Sequence, residues 1–157
     1  MNSVTIILGS ASDKEIFDKC KKILDEFGVK YELKIASAHR TPAKVKEIVR
    51  SSDSDVFIAI AGLSAALPGT IAAETIKPVI GVPVESKIGG LDALFSIVQM
   101  PPGIPVGCVG IDRGENAALL TIEILALKNN DLRTKLENYR KKMREKIEMD
   151  NKEAEKW

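Results

Sequence analysis

Residues 4–28 read VTIILGSASDKEIFDKCKKILDEFG, and this stretch decides the fold class. Its first five residues are mostly apolar and β-branched, which is typical of a strand that is buried on both faces. Gly9 ends this run, and Ser12 and Glu15 follow with the spacing of a capping box, which predicts the start of a helix. Apolar residues then recur at helical spacing until Gly28. The stretch is therefore predicted to form a strand, a tight turn and a helix.

The same unit of strand, turn and helix repeats along the chain. Further strands are predicted at residues 31–35, 56–60, 79–84 and 104–111. Thr41 and Pro42 mark the start of the helix that follows the second strand. Successive β-α-β units with right-handed crossovers predict a three-layer α/β/α sandwich. Its parallel sheet is predicted to have the strand order 2-1-3-4-5, which is the flavodoxin-like order.

Length and composition indicate one domain, spanning residues 1–157. Of these residues 45% are apolar, which is enough to build a buried core. Residues 1–127 hold the α/β core, and residues 128–157 form a tail with ten Lys or Arg and seven Asp or Glu. One apolar stripe runs along this tail, formed by Leu132, Leu136, Tyr139, Met143 and Ile147. We expect a protruding C-terminal helix that packs either on its own domain or on a neighbouring subunit.

The charge balance and the apolar runs exclude several classes of protein. The 23 Lys and Arg nearly cancel the 22 Asp and Glu, which argues against nucleic acid and anionic membranes as partners. No apolar run approaches the ~20 residues that span a bilayer, and residues 1–5 lack the features of a signal peptide. Cys20 and Cys108 stand alone in apolar surroundings. We therefore expect a cytoplasmic protein with reduced, buried thiols.

The candidate site lies in the loops after the strands, because ligands of open parallel sheets bind beyond the carboxyl ends of the strands. The first loop holds Gly9, Ser10, Ser12 and Asp13. Its hydroxyls and the free amides of a helix N-terminus can receive the phosphate of a nucleoside monophosphate, and the carboxylate can accept ribose hydroxyls. The loop has neither the Walker A lysine nor the GxGxxG spacing. The same residues also fit an ordinary capped turn, and both interpretations stay open.

The second loop offers an acid–base group beside a phosphate ligand. Ser37, His39 and Arg40 follow the second strand, and His39 is the only histidine in the chain. Histidine exchanges a proton near neutral pH, and the planar guanidinium of arginine matches a phosphate group. A structural or merely solvated role of these side chains is the alternative.

The third loop, residues 61–69, carries almost no side-chain bulk. Ala61, Gly62, Ser64 and Leu67 belong to it. Such a loop lets a flat heterocycle lie against main-chain amides, although small residues also serve the close packing of a helix on a strand. The fourth strand delivers Glu85 to the same edge of the sheet, where its role is left open.

Several kinds of chemistry are excluded by what the sequence lacks. One histidine and two isolated cysteines argue against a zinc site, and no GxSxG elbow is present for acyl-enzyme catalysis. We predict no metal and no cofactor. An FMN-binding electron carrier is the rival of another class, but Tyr31, Tyr139 and Trp157 fall outside the predicted site and cannot stack on a flavin there. A response-regulator receiver is excluded because the third strand ends without an aspartate.

Five motifs, taken in order over about residues 3–127, resemble the catalytic-subunit family of phosphoribosylaminoimidazole carboxylase, the PurE family. The motifs are Gly9-Ser10-Ala11-Ser12-Asp13, Ser37-Ala38-His39-Arg40-Thr41-Pro42, Ala61-Gly62 with Leu67-Pro68-Gly69, PVIGVPV at 78–84 and LFSIVQMP at 94–101. Each motif is common, whereas all five at these spacings are specific. The resemblance implies a flavodoxin-like fold and a homo-octamer whose C-terminal helix reaches over a neighbour.

The resemblance also implies a reaction and a set of roles. The mutase branch converts N5-carboxyaminoimidazole ribonucleotide (N5-CAIR) to 4-carboxy-5-aminoimidazole ribonucleotide (CAIR) in purine biosynthesis. The residues that would hold phosphate and ribose are Ser10, Ser12, Asp13, Ser37 and Arg40. His39 would be the acid and the base, and the loop at Ala61-Gly62 would line the aminoimidazole pocket.

One position departs from the pattern of the mutases. They commonly have a histidine in the third loop where this chain has Ala66. Ser64 and Ala66 are more similar to the sister branch, which carboxylates aminoimidazole ribonucleotide (AIR) directly with CO2. Arg40 and the Leu67-Pro68-Gly69 motif are similar to the mutases instead. The expected activity is therefore N5-CAIR mutase, with direct AIR carboxylase as the alternative.

Overall fold

The computed structural model describes residues 3–157. Met1 and Asn2, on which part of the signal-peptide prediction rests, lie outside the described residues. Within the described range the strands are β1 Val4–Leu8, β2 Tyr31–Ile35, β3 Val56–Ala61, β4 Val79–Pro83 and β5 Gly107–Cys108. The helices are α1 Lys14–Phe27, α2 Pro42–Ser51, α3 Leu67–Ala72, α4 Leu91–Val98, α5 Gly114–Ala126 and α6 Asn130–Ala154.

Neighbouring strands of the sheet run parallel, in the order β2-β1-β3-β4-β5. The predicted flavodoxin-like order is therefore confirmed. β1 lies between β2 and β3, with Val4 opposite Tyr31 on one side and Val56 on the other. β1, β3 and β4 are buried along their whole length, whereas the edge strand β2 is partly exposed. This burial explains why the inner strands have nearly continuous apolar sequences.

Helices pack on both faces of the sheet. On one face, Phe57 of β3 belongs to a buried cluster with Val45 of α2, Ile71 of α3 and Ile97 of α4. Side chains of a strand alternate between its two faces, so this cluster takes only every second residue of the strand. The helix α1 contributes no residue to the cluster, as expected for a helix on the opposite face.

The start of α5 approaches the backbone of α1 closely. A Cβ atom placed on Gly114 would lie 2.2 Å from the carbonyl oxygen of Ile16 and 3.2 Å from the amide nitrogen of Cys20. No side chain fits into a gap of that size. The glycine at the first position of α5 is therefore required by the packing of these two helices.

The start of α1 corrects the predicted capping box of Ser12 and Glu15. Ser10 is the capping residue instead: its Oγ accepts a hydrogen bond from Ser12 N at 3.3 Å, and Asp13 Oδ2 accepts one from Ser10 N at 3.0 Å. These bonds close a short 3-10 turn that precedes α1. Glu15 pairs with Lys19 on the outer face of the helix. Ser10 and Asp13 have the capping-box spacing too, and their pair is the one that forms.

The fifth strand is much shorter than the predicted range 104–111. Only Gly107–Cys108 pairs with β4. Pro105 lies inside the predicted range and has no N–H to donate to a ladder, and an edge strand has a neighbour on one side only. The other strand ends differ little: β3 extends to Ala61 instead of residue 60, and β4 ends at Pro83 instead of residue 84.

The backbone divides into two compact units, one that ends at Thr121 and one that spans Ile122–Trp157. The boundary lies inside α5, a few residues before the predicted end of the core at residue 127. The organisation of residues 1–157 as a single domain stays a prediction. Within residues 3–157, no helix combines the length and the hydropathy needed to cross a membrane.

The second unit contains the predicted helical tail as α6. The Asn129 side chain caps this helix by accepting a hydrogen bond from Leu132 N at 3.1 Å. Leu132 and Leu136, at the start of the predicted apolar stripe, are buried, whereas Met143 and Ile147 are 55% and 68% exposed. The second half of the stripe is therefore open to solvent in the single chain.

Candidate active site

A cavity of about 590 Å³ lies beyond the carboxyl ends of β1, β2, β3 and β4. Every residue predicted for the site lines it: Gly9, Ser10, Ser12, Asp13, Ser37, His39, Arg40, Ala61, Gly62, Ser64 and Leu67. This is the edge at which open parallel sheets bind their ligands. The volume lies within the range of roughly 300 to 1,000 Å³ that small-molecule sites have.

Main-chain hydrogen bonds continue the sheet into the loops of the cavity. Ala36 N donates to Leu8 O at 3.0 Å, and Val84 N donates to Ala61 O at 3.0 Å. Each of these bonds lies just past the end of a strand. The sheet therefore fixes where the loops begin relative to one another.

The first loop presents two hydroxyl groups to the cavity. Ser12 Oγ donates to Ser10 Oγ at 3.0 Å and is 3.4 Å from Asp13 Oδ1. Ser12 is exposed and Ser10 is half-buried. Hydroxyls can rotate to donate to an incoming oxygen. The pair is therefore suited to an anion that displaces the weak contacts within the loop.

Asp13 is the buried acid of the cavity, with 6% of its surface exposed. Burial raises the pKa of its carboxyl group, and hydrogen bonds from Ser10 and Ser12 together with the positive charge of Arg40 offset part of that rise. Its carboxylate closes the capped turn and also lines the cavity. The two interpretations that the sequence left open for this loop are therefore compatible.

Arg40 connects the first and second loops. Its Nη2 donates to Gly9 O at 3.1 Å, and its Nε donates to Ser37 Oγ at 3.3 Å. A guanidinium has five N–H groups, so three are left for a ligand. These bonds orient the planar group beside the serines of the first loop, where its charge can receive a phosphate.

His39 lies in the turn at the tip of the second loop and is exposed to the cavity. The loop is closed behind it by Thr41, whose Oγ1 accepts from Ser37 N at 2.9 Å and donates to Ser37 O at 3.3 Å. Thr41 is the residue before α2, as predicted, but its hydroxyl makes no cap hydrogen bond to that helix. It fixes the turn that carries the histidine instead.

The third loop turns sharply over residues 62–65. Ala65 N donates to Gly62 O at 3.1 Å, and both Leu63 and Ala65 have positive φ angles, of 52° and 25°. Left-handed backbone is uncommon for residues other than glycine and concentrates at functional sites. Ala65 and Leu67 are buried, whereas Ser64 is exposed in the cavity. The wall that this loop forms is therefore mostly backbone, as its small residues predict.

The segment after β4 completes the cavity through Val84, Glu85 and Ser86. The sequence placed Glu85 at this edge but assigned it no role. Ala38, Leu63, Ala65 and Ala66 also line the cavity, although they were not singled out as ligands. The side chains of small apolar residues do not by their type indicate that they bind a ligand. Only their position in the predicted loops of the site could have indicated them.

The cysteines and the acidic residues form no further site. Among residues 3–157, no group of three or more His, Cys, Asp or Glu residues could hold a metal ion. Burial, with a smaller contribution from the charge of Glu115, raises the pKa of the Cys20 thiol to about 12. Burial also raises the pKa of Cys108, which is only partly buried. Both thiols are free, and neither lines the cavity.

Comparisons with known sequences show the family to which the chain belongs. Residues 3–146 match the family model described as AIR carboxylase. The chain is 62% identical over 144 residues to an N5-carboxyaminoimidazole ribonucleotide mutase of Methanocaldococcus jannaschii, covering 92% of each chain. It is 51% identical over 148 residues to the mutase of the same name from Pyrococcus abyssi, covering 92% of this chain and 85% of that one.

A comparison with solved structures gives the same result. The crystal structure of Treponema denticola PurE superimposes with a TM-score of 0.88 at 31% sequence identity, covering 96% of each chain. The family match extends over most of the chain, and the high-identity relatives align over nearly their full length. The chain therefore belongs to the AIR carboxylase family, to which the PurE proteins belong.

Proposed function

We propose that this protein is an N5-CAIR mutase, which converts N5-CAIR to CAIR in purine biosynthesis, and that His39 transfers the proton. The observation that carries the proposal is the cavity at the sheet edge, which joins hydroxyls, a guanidinium and the chain's one histidine. The names of the relatives at 62% and 51% identity support the same activity. The direct carboxylation of AIR is not favoured by those names.

The reaction requires two proton transfers that one imidazole can perform. The protonated imidazole of His39 donates a proton to N5, and the bond between N5 and the carboxylate carbon breaks to leave AIR and CO2. The electron-rich C4 of the imidazole ring of AIR then attacks CO2, which forms the new carbon–carbon bond. The neutral imidazole of His39 removes the proton from C4 and returns to its first state. Atoms and charge balance without a further reactant.

The serines and the arginine would hold the phosphate end of the nucleotide. Ser10 and Ser12 supply hydroxyls, and the guanidinium of Arg40 is held beside them by its bond to Gly9 O. The buried carboxylate of Asp13 would accept a ribose hydroxyl, and Ser37 would orient the guanidinium. Fixing this end of the substrate positions the base ring, and correct positioning is worth several kcal/mol in a reaction of this kind.

The small-residue loop would hold the aminoimidazole ring and confine CO2. Ala61, Gly62, Ser64 and Leu67 line this part of the cavity, and their side chains leave room for a flat ring. Confinement matters because CO2 that escapes into water is lost to the reaction. Ala66, at the position of the histidine of other mutases, also lines the cavity and adds only a methyl group there.

An FMN-binding electron carrier is not supported by the cavity. Flavin rings usually stack on aromatic side chains. Among the described residues that line the cavity there is no Phe, Tyr or Trp.

The exposed half of the stripe on α6 supports the further proposal that the protein is a homo-oligomer, an octamer as the family resemblance implies. A cytoplasmic location is part of the same proposal.

The test is a comparison of two substrates. Purified protein receives either N5-CAIR or AIR with bicarbonate, both at low CO2, and the formation of CAIR is followed by absorbance. We expect rapid consumption of N5-CAIR and little use of AIR. Rapid use of AIR with CO2 and none of N5-CAIR would identify a direct carboxylase, and no turnover of either would refute the proposed activity. Protein that is yellow after purification would favour the flavin carrier.

A further inference from the structure

We infer that Asp112 is a positioning residue, which fixes the cavity segment after β4 so that the small-residue loop keeps its catalytic shape; the inference rests on the proposed function. Asp112 does not line the cavity, and none of the sequence motifs includes it. It lies between β5 and α5, beyond the carboxyl end of the edge strand. It contacts the cavity segment of Val84, Glu85 and Ser86 through a hydrogen bond to Glu85.

Asp112 holds this segment by two hydrogen bonds in opposite directions. Its Oδ1 accepts from Glu85 N at 2.9 Å, and its own N donates to Pro83 O at 2.9 Å. The two bonds bracket the point at which the chain leaves β4 and enters the cavity wall. A charged acceptor makes a stronger bond to a backbone N–H than a neutral one does.

The backbone of Asp112 is in an unusual conformation that enables this pairing. Its φ angle is 58°, in the left-handed region, where aspartate, asparagine and glycine are the residues most readily found. A conformation of this kind costs free energy, and it persists only where surrounding contacts determine it. The two bonds to Pro83 and Glu85 are such contacts.

The held segment is also enclosed by its neighbours. A Cβ atom on Gly90 would lie 3.2 Å from Glu85 Cα and 2.8 Å from Ile111 Cγ2. Gly90, just before α4, therefore lies close to both the main chain of Glu85 and the side chain of Ile111, the residue before Asp112. The main chain at Glu85 has little room to shift while the bond from Asp112 is present.

The position of the segment affects the third loop directly. Val84 N donates to Ala61 O, and a Cβ atom on Gly62 would lie 3.5 Å from Val84 Cβ. A shift of Val84 therefore moves the wall that would hold the aminoimidazole ring and CO2. The serines and Arg40 are held by separate bonds within the first two loops. Loss of the Asp112 bond should therefore change the chemical step more than substrate binding.

Three substitutions separate the roles of the carboxylate and of the backbone. Asp112→Asn keeps both the oxygen acceptor and a residue type that tolerates positive φ. Asp112→Gly keeps the conformation but removes the acceptor. Asp112→Ala removes both. A matched control is Asp53→Gly, which removes an exposed aspartate from a loop that does not line the cavity.

The experiment measures kcat and KM with N5-CAIR, and amide hydrogen exchange at Glu85. We expect Asp112→Gly to lower kcat about tenfold, with KM changed less than about twofold, since a hydrogen bond of this strength is lost. Asp112→Asn should retain most of the wild-type kcat, and Glu85 N–H should exchange faster in Asp112→Gly than in Asp112→Asn. Asp53→Gly should change none of these values.

Two kinetic results would overturn the inference. One is a kcat of Asp112→Gly equal to that of the wild type, and the other is an equal loss in Asp112→Asn, which would make the charge and not the acceptor responsible. The exchange rate of Glu85 N–H does not depend on the identity of the substrate. Slow exchange at Glu85 in Asp112→Gly would therefore refute the inference even if the wild type had no mutase activity.

Discussion

The two sides of the cavity are built in different ways. The polar wall, residues 9–13 and 37–41, is held together by side chains: Arg40 bonds to Gly9 O, and Asp13 bonds to Ser10 N. The backbone wall, residues 61–67 and 84–86, is held mainly by main-chain bonds and close approaches, and none of its own side chains anchors it; the Asp112 carboxylate, outside the wall, accepts from Glu85 N. Positive φ angles at Leu63 and Ala65 occur in this second wall. Side chains thus define one half of the site, and chain geometry defines the other.

This difference predicts different responses to substitution. Removing one exposed side chain, such as that of His39, from the polar wall should change a single chemical property, such as a proton or a charge, and leave the fold intact. Adding a single carbon to the backbone wall should disturb packing first and activity as a result. A substitution of an exposed side chain in the polar wall should therefore change kcat without changing the free energy of unfolding. A substitution that crowds the backbone wall should change both.

The largest effect is expected for His39→Asn in the polar wall. His39 is exposed, so its loss should leave the free energy of unfolding nearly unchanged. Loss of an acid–base group typically lowers kcat about 10²-fold to 10⁴-fold. Turnover of N5-CAIR and urea denaturation measure the two effects. A variant with wild-type kcat would remove His39 from the proposed mechanism.

A smaller effect is expected for Arg40→Ala in the same wall. Hydrogen bonds to charged groups contribute about 1.5 to 3 kcal/mol, so kcat/KM should fall about 10-fold to 100-fold. Most of this fall should be a rise in KM, because a phosphate group is bound equally in substrate and transition state. Steady-state kinetics check the division between the two constants.

The control for this prediction is Arg50→Ala. Arg50 forms an exposed ion pair with Glu74 and does not line the cavity, so its loss should leave KM unchanged. If Arg40→Ala lowers kcat while KM stays constant, the guanidinium acts in the chemical step and the assignment to phosphate is wrong.

The support of the backbone wall is tested by the neighbouring glycines Gly89 and Gly90, which follow its segment 84–86. Both have positive φ angles, of 68° and 76°, but only Gly90 is crowded, by Ile111 and Glu85. Gly89→Ala should cost only the backbone strain, about 1 to 2 kcal/mol. Gly90→Ala should cost a further 1 to 3 kcal/mol or so for overpacking. Chemical denaturation measures both variants, and kcat should fall only in Gly90→Ala.

If Gly89→Ala and Gly90→Ala lower the free energy of unfolding equally, the crowding of Gly90 by Glu85 and Ile111 does not contribute to stability. The pair is well matched because the residues are adjacent and share the same backbone region. A Cβ atom on Gly89 would have no neighbour within 4 Å.

The smallest effect is a pH dependence that comes from Asp13. Burial raises the pKa of this carboxyl above its ordinary value of 3.8, so the folded state holds the proton more tightly than the unfolded state. The free energy of unfolding should therefore fall, relative to Asp13→Asn, as the pH rises through 3.8 and through the raised pKa. Below 3.8 the carboxyl is protonated in both states, and the pH-dependent difference should vanish.

Asparagine is the suitable replacement because its side-chain oxygen can still accept the bond from Ser10 N. Asp53→Asn, at an exposed loop position, is the control and should show no such trend. Urea denaturation of the three proteins between pH 3 and 7 tests the prediction. A difference that grows in favour of the wild type as the pH rises would contradict it.

Much of the fold could be predicted because strands that are buried on both faces have nearly continuous apolar sequences. β1 and β3 are buried on both faces and are nearly continuous apolar runs, so their positions followed from the sequence. The order of the strands came from taking the simplest arrangement of right-handed β-α-β units. The fifth strand was predicted too long. Its apolar residues resemble those of an inner strand, but only two residues pair at the edge of the sheet. Apolar composition alone does not show how many neighbours a strand has.

The residues of the site could be predicted where they carry chemistry. His39, Arg40 and Asp13 have side chains whose types indicate a task, and the topology brings their loops to one edge. The contribution of Asp112 could not be found in this way. It depends on a hydrogen bond to Glu85, 27 residues away in sequence, and on a positive φ angle.

The sequence by itself determined where the inner strands lie, which loops line the edge of the sheet that carries the candidate site, and the residue types that gather there. It could do so because the local spacing of apolar residues indicates which segments are buried and where the loops between them lie. The tertiary structure alone decided which serine caps the first turn, how far the edge strand pairs, and how the main chain beyond β4 is held. These features depend on distances of about 3 Å between residues far apart in the chain, where a single hydrogen bond or a single Cβ atom selects among conformations of similar local preference.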